Sequence, residues 1–173
     1  MKKLKNVVVP RRIRFGALIY PTNHMELNER QKLVIAGKIC PYCGKETEFV
    51  DSIEIYGISY GMIYLCRDCD AHVGVHKGTD KALGRLAQKQ LRKMKHEAHE
   101  YFDKIWQNGY MTRHEAYVWL SNVLEIPIEY THIGMFSEKT CQSVINFSKQ
   151  LLNDYRKLEF ESCGKAKMPY FPL

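Results

Sequence analysis

Residues 48–66, EFVDSIEIYGISYGMIYLC, are dense in β-branched and aromatic side chains and are broken by Gly57 and Gly61. That pattern predicts a β-hairpin or small antiparallel sheet. Further on the apolar spacing becomes helical. In ALGRLAQKQLRKMKHEAHEYFDKIW, residues 82–106, one stripe carries Leu83, Ala87, Leu91, Met94, Ala98, Tyr101 and Ile105. The opposite stripe carries Arg85, Lys89, Arg92, His96, His99 and Asp103, so the spacing predicts an amphipathic helix stopped by Asn108-Gly109. Thr112 and Glu115 form a capping box for a second helix, whose inward positions are Ala116, Tyr117, Trp119, Leu120, Val123 and Leu124, with Pro127 beyond its end. After the loop EIPIEYTHIGMF, Ser137 can cap a third helix reaching about Tyr155, with Cys141, Val144, Ile145, Leu151, Leu152 and Tyr155 on its apolar face. Upstream, LNERQKLVIAGK reads as a short helix stopped at Gly37, and Ile13 to Tyr20 as a strand ended by Pro21.

These elements divide the 173 residues into a basic N-terminal arm and lead-in helix (1–37), a β-rich segment carrying two cysteine pairs (38–79), a helical segment packed on it (80–158) and an irregular tail (159–173). An apolar content of 45% and an aromatic content of 12% are those of a folded chain. No run approaches the ~18 apolar residues of a membrane span. The N-terminus starts like a signal peptide, but its apolar run is only Val7 to Val9 before Pro10, so the expectation is a cytoplasmic protein with no membrane partner.

Charge changes the picture through its distribution. The formal total is +7, yet residues 1–20 alone net +6 and residues 77–96 net another +6, leaving −5 for the remainder. Clustered positive charge points to a polyanion, so nucleic acid is the expected partner, of a type the sequence does not specify. Arg11, Arg12 and Arg14 would form an arm, and Arg85, Lys89 and Arg92 a phosphate-contacting ridge. Tyr56, Tyr60 and Tyr64 are candidates to stack on unpaired bases.

Cysteines carry the strongest chemical signal. Cys40-Pro-Tyr-Cys43-Gly and Cys66-Arg-Asp-Cys69 are separated by 22 residues of strand-forming sequence. Two residues between cysteines let both sulfurs point at one ion from a tight knuckle, and a hairpin between two knuckles completes a tetrahedral shell of four thiolates. Soft thiolates select zinc. The expectation is one structural Zn²⁺ held by Cys40, Cys43, Cys66 and Cys69 in a zinc ribbon, followed by a helical bundle of about three helices: an α+β fold. Cys141 reads as a core residue and Cys163 as an exposed thiol of the tail. His72 lies three residues past Cys69, and in an extended chain His72, Gly74 and His76 share a side. They are candidates for a second metal site, or for hydrogen bonding around the knuckle.

With its motifs in order, the chain resembles a zinc-finger-containing domain family of unknown function found in bacterial, phage and mobile-element proteins. The resemblance rests on CPYCG at 40–44, IYG at 55–57, IYLCRDCDAHVGVHKGT at 63–79, LGRLA at 83–87, LRKMKHEAHEYFDKIW at 91–106, RHEAYVWL at 113–120 and HIGMF at 132–136, and covers about residues 38–147. Ala82 and Arg85 depart from the pattern, which has a proline and a small residue there. The resemblance implies a zinc ribbon joined to a helical segment and no particular activity.

Two other functions follow from other residues. His96, His99 and Asp103 fall on one helix face and, with Arg113 and His132, are the catalytic candidates of a metal-dependent nuclease. Against that, they match no known signature and are poor in the carboxylates that bind Mg²⁺. A zinc ribbon also serves as a protein-interaction factor, here one acting on a host protein.

Overall fold

Asn28 opens the first helix. Its side chain accepts from the Gln31 amide and Gln31 Oε1 accepts from the Asn28 amide, both at 2.9 Å, a reciprocal cap that sets α1 at Glu29–Ile35. The computed structural model describes residues 26–164, with side chains to Phe160. The strand expected at 13–20 and the arm lie outside the described residues. Gly37 ends α1 at φ 79, where a Cβ would come within 2.6 Å of the Tyr64 ring, so glycine serves both the turn and the packing.

Three antiparallel strands follow in the order β1 (Glu48–Asp51), β2 (Met62–Cys66) and β3 (Ala71–Gly74). The register places Phe49 beside Tyr64 and Tyr64 beside Val73. Strand alternation then sends Tyr64, Cys66 and Ala71 to one face, where they are buried with Cys40 and Leu86 in a small core. Ile63, Leu65 and His72 are buried on the other face. A single-turn helix, α2 (Ile53–Tyr56), sits in the β1–β2 connection and ends at Gly57 in the left-handed region, φ 71. Arg67 ties α2 to the sheet through Glu54 at 3.0 Å and Glu48 at 3.0 Å.

The expected helix over 82–106 begins seven residues late. Residues 82–87 bend at 83–85 and are held to the outer edge of β3 by isolated bridges at Ala82 and Ala87. Leu83 N–H donates to Gly74 O at 2.9 Å, and Ala87 and His72 exchange backbone bonds at 3.1 and 3.2 Å. The sheet edge offers unpaired backbone groups that outweigh a helical spacing carried by only two apolar residues of that stretch, Leu83 and Ala87. As a result Leu83, expected inside, is 52% exposed, and Arg85 is not on the helix at all.

Helices α3 (Lys89–Gln107), α4 (Arg113–Leu124) and α5 (Glu138–Gly164) form the bundle. Thr112 and Glu115 cap α4 as a reciprocal box, and the Ser137 hydroxyl accepts from the Thr140 amide at the start of α5. Helix α5 runs well beyond Tyr155. Leu91, Ala98, Phe102 and Ile105 of α3 meet Trp119 and Leu120 of α4, and Cys141, Val144, Ile145 and Leu152 of α5, in the main core. Between α4 and α5 the loop forms two single 3₁₀ turns, Ile128–Tyr130 and Ile133–Met135.

Ribbon and bundle join where Gly84 crosses Gly134. A Cβ on Gly84 would lie 2.1 Å from the Gly134 carbonyl oxygen, and Arg85 N–H donates to that oxygen at 3.1 Å. Lys95 reaches the same junction from α3, its ammonium donating to Gly134 O at 2.5 Å and Arg85 O at 3.2 Å. Burial brings the Lys95 ammonium down to about 8. No helix among the described residues is long and apolar enough to cross a membrane.

Candidate metal centre

Each cysteine pair occupies a tight turn. Ile39 bridges Glu46, Cys40 N–H donates to Lys45 O at 2.8 Å, and Gly44 N–H returns to Cys40 O at 2.9 Å with Gly44 at φ 76. The second pair spans the β2–β3 turn, closed by Asp70 N–H to Arg67 O at 3.2 Å with Asp70 left-handed at φ 48. Together they bring the four Sγ atoms within 4.8 Å of one another, with Cys43 and Cys66 3.6 Å apart. Zinc–sulfur bonds of about 2.3 Å place tetrahedral sulfurs about 3.8 Å apart, so the quartet fits one Zn²⁺ with little adjustment. Among the described residues this is the one close grouping of three or more possible metal ligands.

The thiols differ in environment. Cys40 and Cys66 are buried, Cys69 half-buried and Cys43 exposed. The backbone N–H of Lys45 aims at Cys43 and brings its thiol down to about 7, whereas burial, then the neighbouring thiols, push Cys69 up to about 12. Four thiolates side by side without a cation repel one another and resist ionisation. Zinc binding therefore releases protons, and its free energy becomes folding free energy for the two turns. Outside the quartet, Gln88 Nε2 donates to Cys69 O at 3.0 Å and Gln88 N–H to the Tyr42 hydroxyl at 3.2 Å, anchoring both knuckles to the start of α3. Lys45 and Asp68 pair across the knuckles at 2.5 Å, but both are mostly exposed and add little.

Among the described residues, His72 and His76 belong to no grouping of three possible metal ligands. His72 is buried, with Nε2 2.8 Å from the Tyr56 hydroxyl and Nδ1 3.3 Å from an Arg92 guanidinium nitrogen. His76 is exposed two residues beyond β3. Both nitrogens of His72 are therefore committed, to side chains and not to the knuckle backbone.

The nuclease candidates are brought together only in part: Arg113 and His132 line one concavity of about 400 Å³ with Tyr117, and among the described residues none of the candidates belongs to a grouping of three possible metal ligands. His99 pairs with Asp103 at 3.5 Å, one helical turn on, and Asp103 accepts from Trp106 Nε1 at 3.3 Å. Arg113 lies over the rings of Trp106 and Tyr117, with its guanidinium 5.8 and 5.6 Å from their centroids. His132 rests near Tyr117, and His96 is exposed elsewhere on α3.

The expected basic ridge is also redistributed. Lys89 is exposed on α3, as are Lys77, Lys81 and Lys93 around it in sequence. Arg92 turns inward and donates to Ala87 O at 2.6 Å as well as meeting His72, so it clamps the sheet edge. Arg85 is half-buried at the ribbon–bundle junction, and Arg11, Arg12 and Arg14 lie outside the described residues. Of the three tyrosines, Tyr64 is buried with its hydroxyl on Asp80 O, leaving Tyr56 and Tyr60 at the surface. Sequence reasoning missed Lys95 and the Gly84–Gly134 crossing, although LGRLA and HIGMF were visible as motifs; nothing local says that two glycines 50 residues apart must touch.

A family model described as a zinc-finger-containing domain matches residues 36–151. That span runs from the end of α1, through both knuckles and the glycine crossing, into α5. No curated protein and no solved structure matches the chain.

Proposed function

The chain belongs to the zinc-finger-containing domain family, and we propose that it is a nucleic-acid-binding module that takes single strands on the open groove of its zinc ribbon. The carrying observation is a pair of exposed aromatic rings in a concave setting. Tyr60 is 76% and Tyr56 51% exposed, their rings edge to face with centroids 5.7 Å apart. They line a groove of about 1000 Å³ together with Phe49, His76, Lys77 and Leu83. Rings left this exposed gain by stacking on bases, about 1–3 kcal/mol per base. Lys77, on the same lining as Asp80, supplies a phosphate contact beside them, and the Tyr56–His72 bond holds one ring in place. Zinc in this reading is structural: it shapes the sheet that presents the groove and takes no part in chemistry. Such a protein acts in the reducing cytoplasm of a bacterium or a phage-infected cell, where thiols persist unoxidised.

The test is binding of zinc-loaded protein to labelled single- and double-stranded DNA and RNA across a salt series. The expected result is a preference for single strands, an affinity falling log-linearly with salt, and about tenfold or greater weakening on Tyr60→Ala with zinc content unchanged. Absence of binding at low salt would overturn the reading. A second reading has its own observation: Ile53 at 52%, Ile58 at 62% and Leu83 at 52% exposure suit an apolar protein partner near the same groove. A host-protein complex that survives salt sufficient to abolish phosphate contacts would decide for it.

A further inference from the structure

A second concavity lies away from the ribbon groove, between α1, the first knuckle and the loop entering α5. It encloses about 650 Å³, the size of a small-molecule site. Val34, Ile35, Pro41, Tyr130 and Phe136 give it apolar walls, while Arg30 and Arg85 line it and no carboxylate among the described residues does. Glu138, the first residue of α5, is exposed and outside the lining.

Arg85 makes the cavity chemically incomplete. Its Nε is buried and has no hydrogen-bond partner among the described residues. A guanidinium cannot shed its charge to escape that penalty, so an anion in the cavity that Arg85 lines offsets a charge the fold leaves poorly compensated. Lys95 places a second cation behind it, on the carbonyls of Arg85 and Gly134. Ser137 and Thr140 line the rim at the start of the 27-residue α5, whose N-terminal end adds to the positive potential.

We propose that this cavity binds a phosphate-bearing small molecule with an aromatic body, a nucleoside monophosphate being the simplest, with the phosphate on Arg85 and Arg30 and the ring against the apolar wall. Two guanidinium groups and a helix start suit a dianion better than a single carboxylate. The site is separate from the ribbon groove, so its test stands apart from that of strand binding.

The experiment is calorimetric titration of the zinc-loaded full chain with AMP, adenosine and inorganic phosphate. AMP is expected to bind, with adenosine and phosphate each at least about tenfold weaker because each lacks one half of the recognition. Arg85→Gln should weaken AMP at least about tenfold with zinc content and Tm unchanged, and Tyr60→Ala should leave AMP binding as it was. Should Arg85→Gln fail to fold, Arg30→Gln, at an exposed position of α1, carries the same expectation. No heat with millimolar AMP, equal affinity for adenosine, or AMP binding indifferent to both arginine variants would overturn the proposal.

Discussion

A neutral imidazole that accepts from Arg92 at Nδ1 carries its proton on Nε2 and donates to the Tyr56 hydroxyl, which is the state the surroundings of His72 select. Burial, and then the charge of Arg92, hold its pKa below the usual histidine value of 6.5. The unfolded chain therefore takes up a proton at a higher pH than the folded one. Full stability is present above about 6.5 and is lost as the pH falls from there through the lowered folded value. His72→Gln lacks this dependence, so the wild type's margin over it in denaturant unfolding is expected to narrow from pH 7.5 to pH 5.5; a constant margin would show that His72 does not titrate differently in the two states. The cysteines behave differently, because removing one leaves three thiols and an open shell. Cys40→Ser and Cys69→Ser are each expected to give metal-free or insoluble protein. A soluble, normally folded Cys69→Ser chain with stoichiometric zinc by elemental analysis would take that thiol out of the shell.

Between elements, the tightest joint is made by backbone and not by side chains. Gly84 at φ 155 rests against Gly134, and Gly134 in turn rests against Leu83 O, 2.3 Å from where its own Cβ would sit. Neither neighbour is the free end of a flexible side chain, so relief requires the ribbon edge and the α4–α5 loop to part. Gly84→Ala is expected to cost more than about 3 kcal/mol and to lower Tm by at least about 6–12 °C. Gly78→Ala is the control: its φ of 76 is also positive, but nothing lies within 4 Å of the added methyl, so backbone strain of about 1 kcal/mol is the whole effect. A purely local loss of about 1 kcal/mol, comparable to that of Gly78→Ala and well below that of Gly84→Ala, is expected for Thr112→Ala, which removes the hydroxyl that accepts from Glu115 N–H at 3.2 Å. Thermal unfolding of the three variants ranks them directly.

At the scale of the whole molecule, the described residues form two cores of different kinds. The bundle core gathers large side chains such as Phe102, Trp119, Leu120 and Ile145, whereas the ribbon core is Cys40, Tyr64, Cys66, Ala71 and Leu86. The smaller one is built around its metal ligands and lacks the apolar area to order its turns without an ion. Chelation of the zinc is accordingly expected to abolish the strand signals of Phe49, Tyr64 and Val73 in NMR while far-UV circular dichroism keeps most of its helical intensity. Loss of both together would mean that the glycine crossing and the Lys95 contacts make ribbon and bundle a single cooperative unit.

Taken by itself, the sequence determined whatever depends on short-range spacing. Two Cys-x-x-Cys turns around a strand-rich spacer specify a four-sulfur site, since two intervening residues bring both sulfurs of each pair to one ion. Thr112 and Ser137 specify helix starts because a cap is made within three residues. Three matters were left to the tertiary structure. Residues 82–87 became a sheet edge because β3 offered backbone partners there. Arg85 and Arg92, neighbours on one stripe by spacing, were parted, one into the ribbon–bundle junction and one onto His72 and Ala87. The groove bearing Tyr56 and Tyr60 exists because α2 folds back over a sheet whose register buries Tyr64 instead. Each of these outcomes rests on contacts between segments distant in sequence, where a favourable local pattern is weaker than backbone hydrogen bonding and close packing with a partner the local sequence does not contain.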